Sequence, residues 1–349
     1  MAKYLDGVAH GDPHLERFNA WFPKDIVADP LGLQLQSIQR AIDLARKRGT
    51  KNVFLTGDIF HTSNPRQESV ARLLKLFAEN LDITFWLYLG NHDKQTHSRH
   101  ALVISDFISK AGILRNVKVY VEPTLEKIDG FPVLFMPYGK FYELDSAYLG
   151  FGHTGLAGTM YNEHQAAHEK IKIENSRSPW VMGHIHQAQE TKGAIYPGTA
   201  YQVDFGEKLP KHLMYFRARL NRDRVTLEHE LIVQAPLFRL INVVVNNEDD
   251  LATIKPYKPG KIPNFYKLQL ARGVKPPPKF MIERPNVIFT EAINAKGEKL
   301  EVTRPERAPA EVMKFSPTTG LVKYLTTNGM TKKRARVAKD LVRIIESEG

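Results

Sequence analysis

Asn52-Val53-Phe54-Leu55-Thr56-Gly57-Asp58-Ile59-Phe60-His61 is an apolar run that stops on a glycine and then offers a carboxylate and an imidazole. A short apolar run closed by a turn residue suits a strand buried on both faces. Upstream, Leu35, Ile38, Ile42 and Ala45 recur at helical spacing and share one face. Further upstream, Tyr4 to His10 reads as another buried strand, and it too ends on glycine and carboxylate, in Gly11-Asp12-Pro13-His14. The unit is therefore strand, helix, strand. Downstream the pattern repeats. Val70, Leu73, Leu74 and Phe77 line a second amphipathic helix, Ile83 to Leu89 is a third apolar run, and shorter strands follow near Val117 to Val121 and Val133 to Met136. The expectation is an α/β layered architecture over residues 1–235.

The chain has 349 residues and no cysteine, which excludes disulfide scaffolds, thiolate zinc sites and cysteine nucleophiles. Its 49 basic and 38 acidic residues give a formal charge of +11. That charge is uneven: residues 1–235 contribute +2, residues 236–312 +4 and residues 313–349 +5. A nearly neutral first part and a basic last third suit a chain that does chemistry in one region and meets a polyanion or an acidic partner in another. The start, Met1-Ala2-Lys3-Tyr4-Leu5-Asp6, lacks the pattern of a secretory signal, and no apolar stretch reaches the length of a membrane span. A cytoplasmic location is expected.

From about Pro236 the texture changes. Leu240 to Val245, Tyr266 to Leu270 and Val287 to Phe289 read as strands between Pro-rich stretches such as Pro276-Pro277-Pro278, which predicts a small α/β module. After a linker at Arg304-Pro305-Glu306-Arg307-Ala308-Pro309, helical periodicity returns twice, broken at Asn328-Gly329. The expected organisation is thus 1–235, 236–312 and 313–349.

Five glycine-led segments punctuate the first region: Gly11-Asp12-Pro13-His14, Gly57-Asp58-Ile59-Phe60-His61, Gly90-Asn91-His92-Asp93, Gly152-His153 and Gly183-His184-Ile185-His186. The first three directly follow apolar strands, where α/β sheets gather their active sites. Six of the 13 histidines fall in these segments, beside Asp12, Asp58 and Asn91. Any one segment alone is weak. Together they form an oxygen-and-imidazole set suited to two divalent ions.

This order of motifs resembles the calcineurin-like metallophosphoesterase signature. His61 in the second motif, with Tyr196-Pro197-Gly198-Thr199 and Val203-Asp204-Phe205-Gly206-Glu207, narrows the resemblance to SbcD-type DNA double-strand-break repair nuclease subunits. Gly152-His153-Thr154-Gly155-Leu156 and the closing helix pair look most like the recombination endonuclease subunits of large phages. The resemblance implies a layered β-sandwich flanked by helices, a small DNA-capping domain and a C-terminal helix-loop-helix.

It also implies roles. Asp12, His14, Asp58 and His186 would hold one metal, and Asp58, Asn91, His153 and His184 the other. Asp58 would bridge ions about 3.5–4 Å apart. Manganese is the family's metal and magnesium is an alternative; ligand type alone leaves iron and zinc open. His92 resembles the histidine that protonates the leaving 3′ oxygen, with Asp93 as its orienter. His61 resembles the histidine that helps turn or stabilise the DNA phosphate. His10 reads as a packed histidine, and His97, His100, His164, His168, His212 and His229, which match no motif, as surface or capping residues.

The implied activity is a DNA exonuclease with single-strand endonuclease activity, in repair, recombination and replication. Rival readings are another metallophosphoesterase, either a phosphatase or a nucleotide phosphodiesterase, and a DNA-end scaffold without catalysis. No P-loop segment occurs in the sequence, so ATP dependence would come from another subunit. In the family that partner is an SMC-like coiled-coil ATPase, held in a heterotetramer with a nuclease homodimer. Leu321, Leu325, Leu341 and Ile345 are its candidate anchors on the helix pair. Lys255, Lys258, Lys261, Lys267, Arg272, Lys275 and Lys279 are candidate phosphate contacts on the middle module.

Overall fold

A computed structural model describes residues 2–96, 99–139, 141–162, 165–271 and 273–293. Strands β1 (Lys3–His10) and β2 (Asn52–Leu55) pair in parallel, joined through helix α1 (Pro30–Arg48). The helix starts where Asp29 accepts the Gly32 amide at 2.9 Å, with Pro30 in the first turn. It ends at Gly49, whose φ of 71° permits the left-handed cap, after a last turn carrying Arg46, Lys47 and Arg48. Helix α2 (Gln67–Glu79) leads to β3 (Thr84–Tyr88), and α3 (Val103–Lys110) leads to β4 (Val117–Tyr120).

These four strands form one six-stranded sheet with a long antiparallel hairpin, β13 (Lys211–Asn221) and β14 (Arg224–Gln234); β13 pairs with β1. The sequence reading placed no strands there. On β14, exposed Arg224, Thr226, Glu228 and Glu230 alternate with the more buried Val225, Leu227, His229 and Leu231, a one-sided pattern without a continuous apolar run. The second six-stranded sheet contains β5 (Thr124–Ile128), β6 (Phe131–Met136), β7 (Leu149–His153), β10 (Trp180–Gly183), β11 (Gln189–Thr191) and β12 (Ala194–Tyr196). A small pair, β8 (Met160–Asn162) and β9 (Gln165–Ala166), lies outside both sheets.

The two sheets face each other across an aromatic core. Phe54 stacks on Phe151 at 4.3 Å between ring centroids, and Tyr120 on Phe135 at 4.0 Å. The other face of the first sheet packs on the helices through Ile38, Ile42, Leu73 and Phe77. Burial of such side chains contributes about 1.5–3 kcal/mol each before entropy is counted. The layered α/β sandwich expected from the sequence is the architecture observed.

Beyond Gln234, β15 (Arg239–Val245), β16 (Asn264–Ala271) and β17 (Val287–Ile293) form a parallel three-stranded sheet with helix α4 (Pro278–Glu283). This part has its own core, including Val245, Leu251, Leu268 and Phe280. It is also joined to the sandwich: Leu237, Phe238, Leu240 and Phe265 pack with Phe18, Phe22, Tyr201 and Phe205. Topology changes near residue 236, whereas packing is continuous across it. Leu321, Leu325, Leu341 and Ile345, and the whole stretch 313–349, lie outside the described residues, as does Arg272.

Candidate active site

Each of the five motifs lies at the carboxyl end of a strand. Asp12 and His14 follow β1, Asp58 and His61 follow β2, and Asn91 and His92 follow β3; His153 closes β7, and His184 and His186 follow β10. Because β1, β2 and β3 are parallel, as are β7 and β10, their ends converge on one edge of the sandwich. The backbone there is bent hard. Asp12 (φ 32°), His14 (43°), Asp58 (47°) and His184 (84°) all occupy the left-handed region, which disfavours side chains and persists where the surroundings over-determine it.

Asp58 lies at the centre, with Oδ2 3.6 Å from His14 Nε2 on one side and 3.4 Å from His153 Nε2 on the other. Its Oδ1 accepts the His92 amide at 2.7 Å. On the His14 side, His14 Nε2 is 3.1 Å from His186 Nε2, which is 3.7 Å from Asp12 Oδ2. On the His153 side, Asn91 Oδ1 is 3.1 Å from His153 Nε2 and 2.8 Å from His184 Nδ1. All seven ligand candidates are thus brought together, in two half-sets that share Asp58. Asp12, His14 and His186, and likewise Asp12, Asp58 and His153, hold their donor atoms within 4.8 Å of one another.

The donor set fits divalent cations for a second reason: several imidazoles are held by the protein through one nitrogen and offer the other. His153 Nδ1 bonds the Thr56 carbonyl at 2.7 Å, His186 Nδ1 the Glu207 carboxylate at 2.6 Å, and His184 Nε2 the Tyr161 hydroxyl at 2.9 Å. Such outer partners fix ring orientation and raise ligand basicity.

The electrostatics agree. Burial raises the Asp12 carboxyl to about 6, with Asp58 adding to the rise while His153 and His186 oppose it. Burial also works against the charge on Asp58, but the facing His153, His14 and His92 hold it well below the usual carboxylate range. Burial would lower His153, yet Asp58 and Asp12 raise it to about 9. The buried carboxylates demand a positive neighbour, which a divalent cation supplies.

A calcineurin-like phosphoesterase family model matches residues 9–208, from the end of β1 to the loop before β13. The chain belongs to that family. Over 192 residues this phosphoesterase is also 26% identical to exonuclease subunit 1 of Enterobacteria phage T4, an overlap covering 51% of the chain and 56% of that protein. The chain therefore spans about half the length of the relative it matches.

Three residues flank the phosphoesterase centre. His92 Nδ1 is 3.2 Å from the His61 carbonyl, which leaves Nε2 for other partners. The His61 ring stacks on His92 at 4.9 Å and lies edge-on to His14 at 5.4 Å. Asp93 differs from expectation. Fully buried, it accepts the backbone amides of Ile59, Phe60 and Gly90, each at 3.0 Å, instead of bonding His92. In this tight turn its side chain points under the Asp58 loop, so it ties two ligand loops together. Burial and the nearby Asp58 push it up to about 7, against the pull of those amides.

Sequence reasoning missed Arg17, Tyr161, Glu169 and Lys211. Lys211 is buried, 2.7 Å from Glu207 Oε2, and donates to the His186 carbonyl at 3.1 Å. Glu169 lies 3.3 Å from His184 Nε2. Tyr161 lies on the short strand β8 and Glu169 in the loop after β9, neither with a periodic signal, whereas Glu207 stands in the quoted Val203–Glu207 segment. His10 is packed, with Nε2 2.8 Å from Ser37 Oγ. His100 is buried, not at the surface, and His229 pairs with Glu190 at 2.9 Å. His97 and His164 lie outside the described residues.

Of the candidate phosphate contacts, Lys255, Lys258, Lys261, Lys275 and Lys279 are exposed. Lys267 instead is half-buried on the central strand β16, where its neighbours on both sides are strands. No described helix is long and apolar enough to cross a membrane.

Proposed function

We propose that the chain is the nuclease subunit of a DNA-processing complex, cutting phosphodiester bonds at DNA ends and in single strands. The observation that carries this reading is the pair of half-sets sharing Asp58, with His92 and His61 beside them. Asp12, His14, Asp58 and His186 would hold one ion, and Asp58, Asn91, His153 and His184 the other, manganese first and magnesium second. Bound there, the ions would supply an activated water and charge stabilisation at the phosphate.

The chain's own residues do the rest. Asp58 is kept ionised by the imidazoles around it. His92, anchored through Nδ1 on the His61 carbonyl, presents Nε2 to deliver a proton to the leaving 3′ oxygen as the phosphorus–oxygen bond breaks. His61 steadies the phosphate. Asp93 acts by positioning, since it fixes the loops that carry Asp58 and Asn91.

The similarity to a phage exonuclease subunit favours a nucleic-acid diester over other phosphoesters and favours a multi-subunit setting. In this reading the module over residues 236–312 caps the DNA, with Lys255, Lys258, Lys261 and Lys275 on phosphates. The stretch 313–349 binds an SMC-like ATPase as a helix-loop-helix, within a heterotetramer acting in the host cytoplasm in recombination, repair and replication. Side-by-side assays at saturating manganese test it, using linear duplex DNA, a small phosphodiester and a phosphomonoester. DNA cleavage is the expected result. Hydrolysis of the monoester alone would make the chain a phosphatase. Deletion of residues 313–349 should abolish ATPase-subunit binding while sparing diester hydrolysis.

A further inference from the structure

Arg17 lies three residues beyond His14, outside every motif read from the sequence, and its guanidinium is held on three sides. Nε donates to the Val203 carbonyl at 3.2 Å, Nη2 pairs with Asp204 Oδ2 at 3.0 Å, and the plane lies 4.4 Å above the Trp21 ring. The remaining nitrogen, Nη1, is directed at His61 Nε2 at 2.6 Å. A guanidinium only donates, so Nε2 is the acceptor in this contact. The Arg17 side chain is 20% exposed, so most of the fork is spent on these partners.

The consequence falls on His61. Among the described residues its ring otherwise meets other imidazoles, stacked on His92 and edge-on to His14, with Nδ1 a long 3.4 Å from His14 Nδ1. Ring-on-ring contacts of this kind tolerate rotation, whereas a short charge-assisted bond to a clamped planar donor does not. Lysine in this place would keep the charge and lose both the fork and the stacking on Trp21.

We propose that Arg17 is a positioning residue that fixes the His61 ring beside the metal centre. Asp204, Val203 and Trp21 form the clamp that makes Arg17 rigid. The inference rests on the nuclease reading in one respect, that His61 takes part in turnover. The chemical class of ligand served is a phosphodiester held at the centre, and Arg17 itself acts through His61.

A double-mutant cycle tests it. The full-length manganese-loaded protein is compared with Arg17→Ala, His61→Ala and the double variant, on an oligonucleotide and on bis(p-nitrophenyl) phosphate. The expected result is a fall in kcat of about ten- to hundredfold for Arg17→Ala, with unchanged manganese binding, and no further loss when Arg17→Ala is added to His61→Ala. Arg17→Lys should not restore kcat. Multiplied losses in the double variant, or full rescue by lysine, would overturn the proposal.

Should His61→Ala leave too little activity to measure, the nitrogen spectrum of histidine-labelled metal-free protein gives the second readout. The His61 Nε2 resonance should move in Arg17→Ala, and an unmoved resonance would overturn the proposal. Failure of the nuclease reading looks different: the wild type would hydrolyse the small diester and leave the oligonucleotide intact, while the cycle could still be run on the diester.

Discussion

At Gly90 the backbone is where a side chain cannot go. An added Cβ would stand 2.1 Å from Asp58 Oδ1 and 2.2 Å from the Asp58 nitrogen, so Gly90→Ala must displace Asp58 at the centre of the candidate site. Manganese affinity should fall at least about ten- to hundredfold, the range for losing a ligand's support, as read by calorimetric titration. Glu207→Gln should weaken manganese binding within that same rough range, because His186 loses its charged anchor. Asp12, His14, Asp58 and Asn91 were legible because they follow strand ends that the apolar pattern marks, whereas His153, His184 and His186 were legible from their glycine-led motifs, the strands β7 and β10 that carry them not having been read. Arg17, Tyr161 and Glu169 were not, since a residue whose role is to hold another leaves no periodic trace. Asp93 was legible as part of the motif and misread in its role: adjacency to His92 in sequence does not determine where a side chain points in a tight turn.

Helix α1 is set by its ends as much as by its apolar face. Asp29 caps its first turn and receives both terminal nitrogens of Arg72 on α2, the closer at 2.5 Å, so one carboxylate ties the two helices together. The Arg72 contact outweighs burial and lowers the Asp29 carboxyl below its ordinary 3.8. A carboxyl depressed on folding adds stability above its unfolded value, and that stability is lost as pH falls through the folded value. Asp29→Ala should therefore cost about 1 kcal/mol at neutral pH, with the difference from wild type shrinking below pH 3.8 in urea melts. Helices α1 and α2 and strands β1 to β3 were readable from periodicity. The hairpin β13–β14 was not, because its charged exposed positions interrupt any apolar run and its place beside β1 is set by tertiary pairing.

Over the whole molecule, a near-neutral sandwich carries the chemistry, and the basic surplus lies in the remaining third. Replacing Lys255, Lys258 and Lys261 together with glutamate should weaken duplex binding and flatten its salt dependence, since each phosphate contact adds about 0.9 to the slope. Hydrolysis of a small diester should be unchanged, because none of these exposed lysines is among the groups that meet Asp58 or its neighbouring histidines. Equal losses on both substrates would place the lysines in the fold and not in DNA contact. The charge asymmetry was visible in the sequence, whereas the shared core of Phe18, Phe22, Phe238 and Phe265 was not, because contacts between distant segments have no local signature.

The most direct measurement follows nucleotide release from end-labelled linear duplex DNA by the full chain across a manganese titration, beside His92→Ala. The account predicts metal-dependent release that saturates with two ions per chain and falls by at least about a hundredfold in the variant. Two bound ions with no DNA cleavage by the wild type, or undiminished cleavage by His92→Ala, would contradict it.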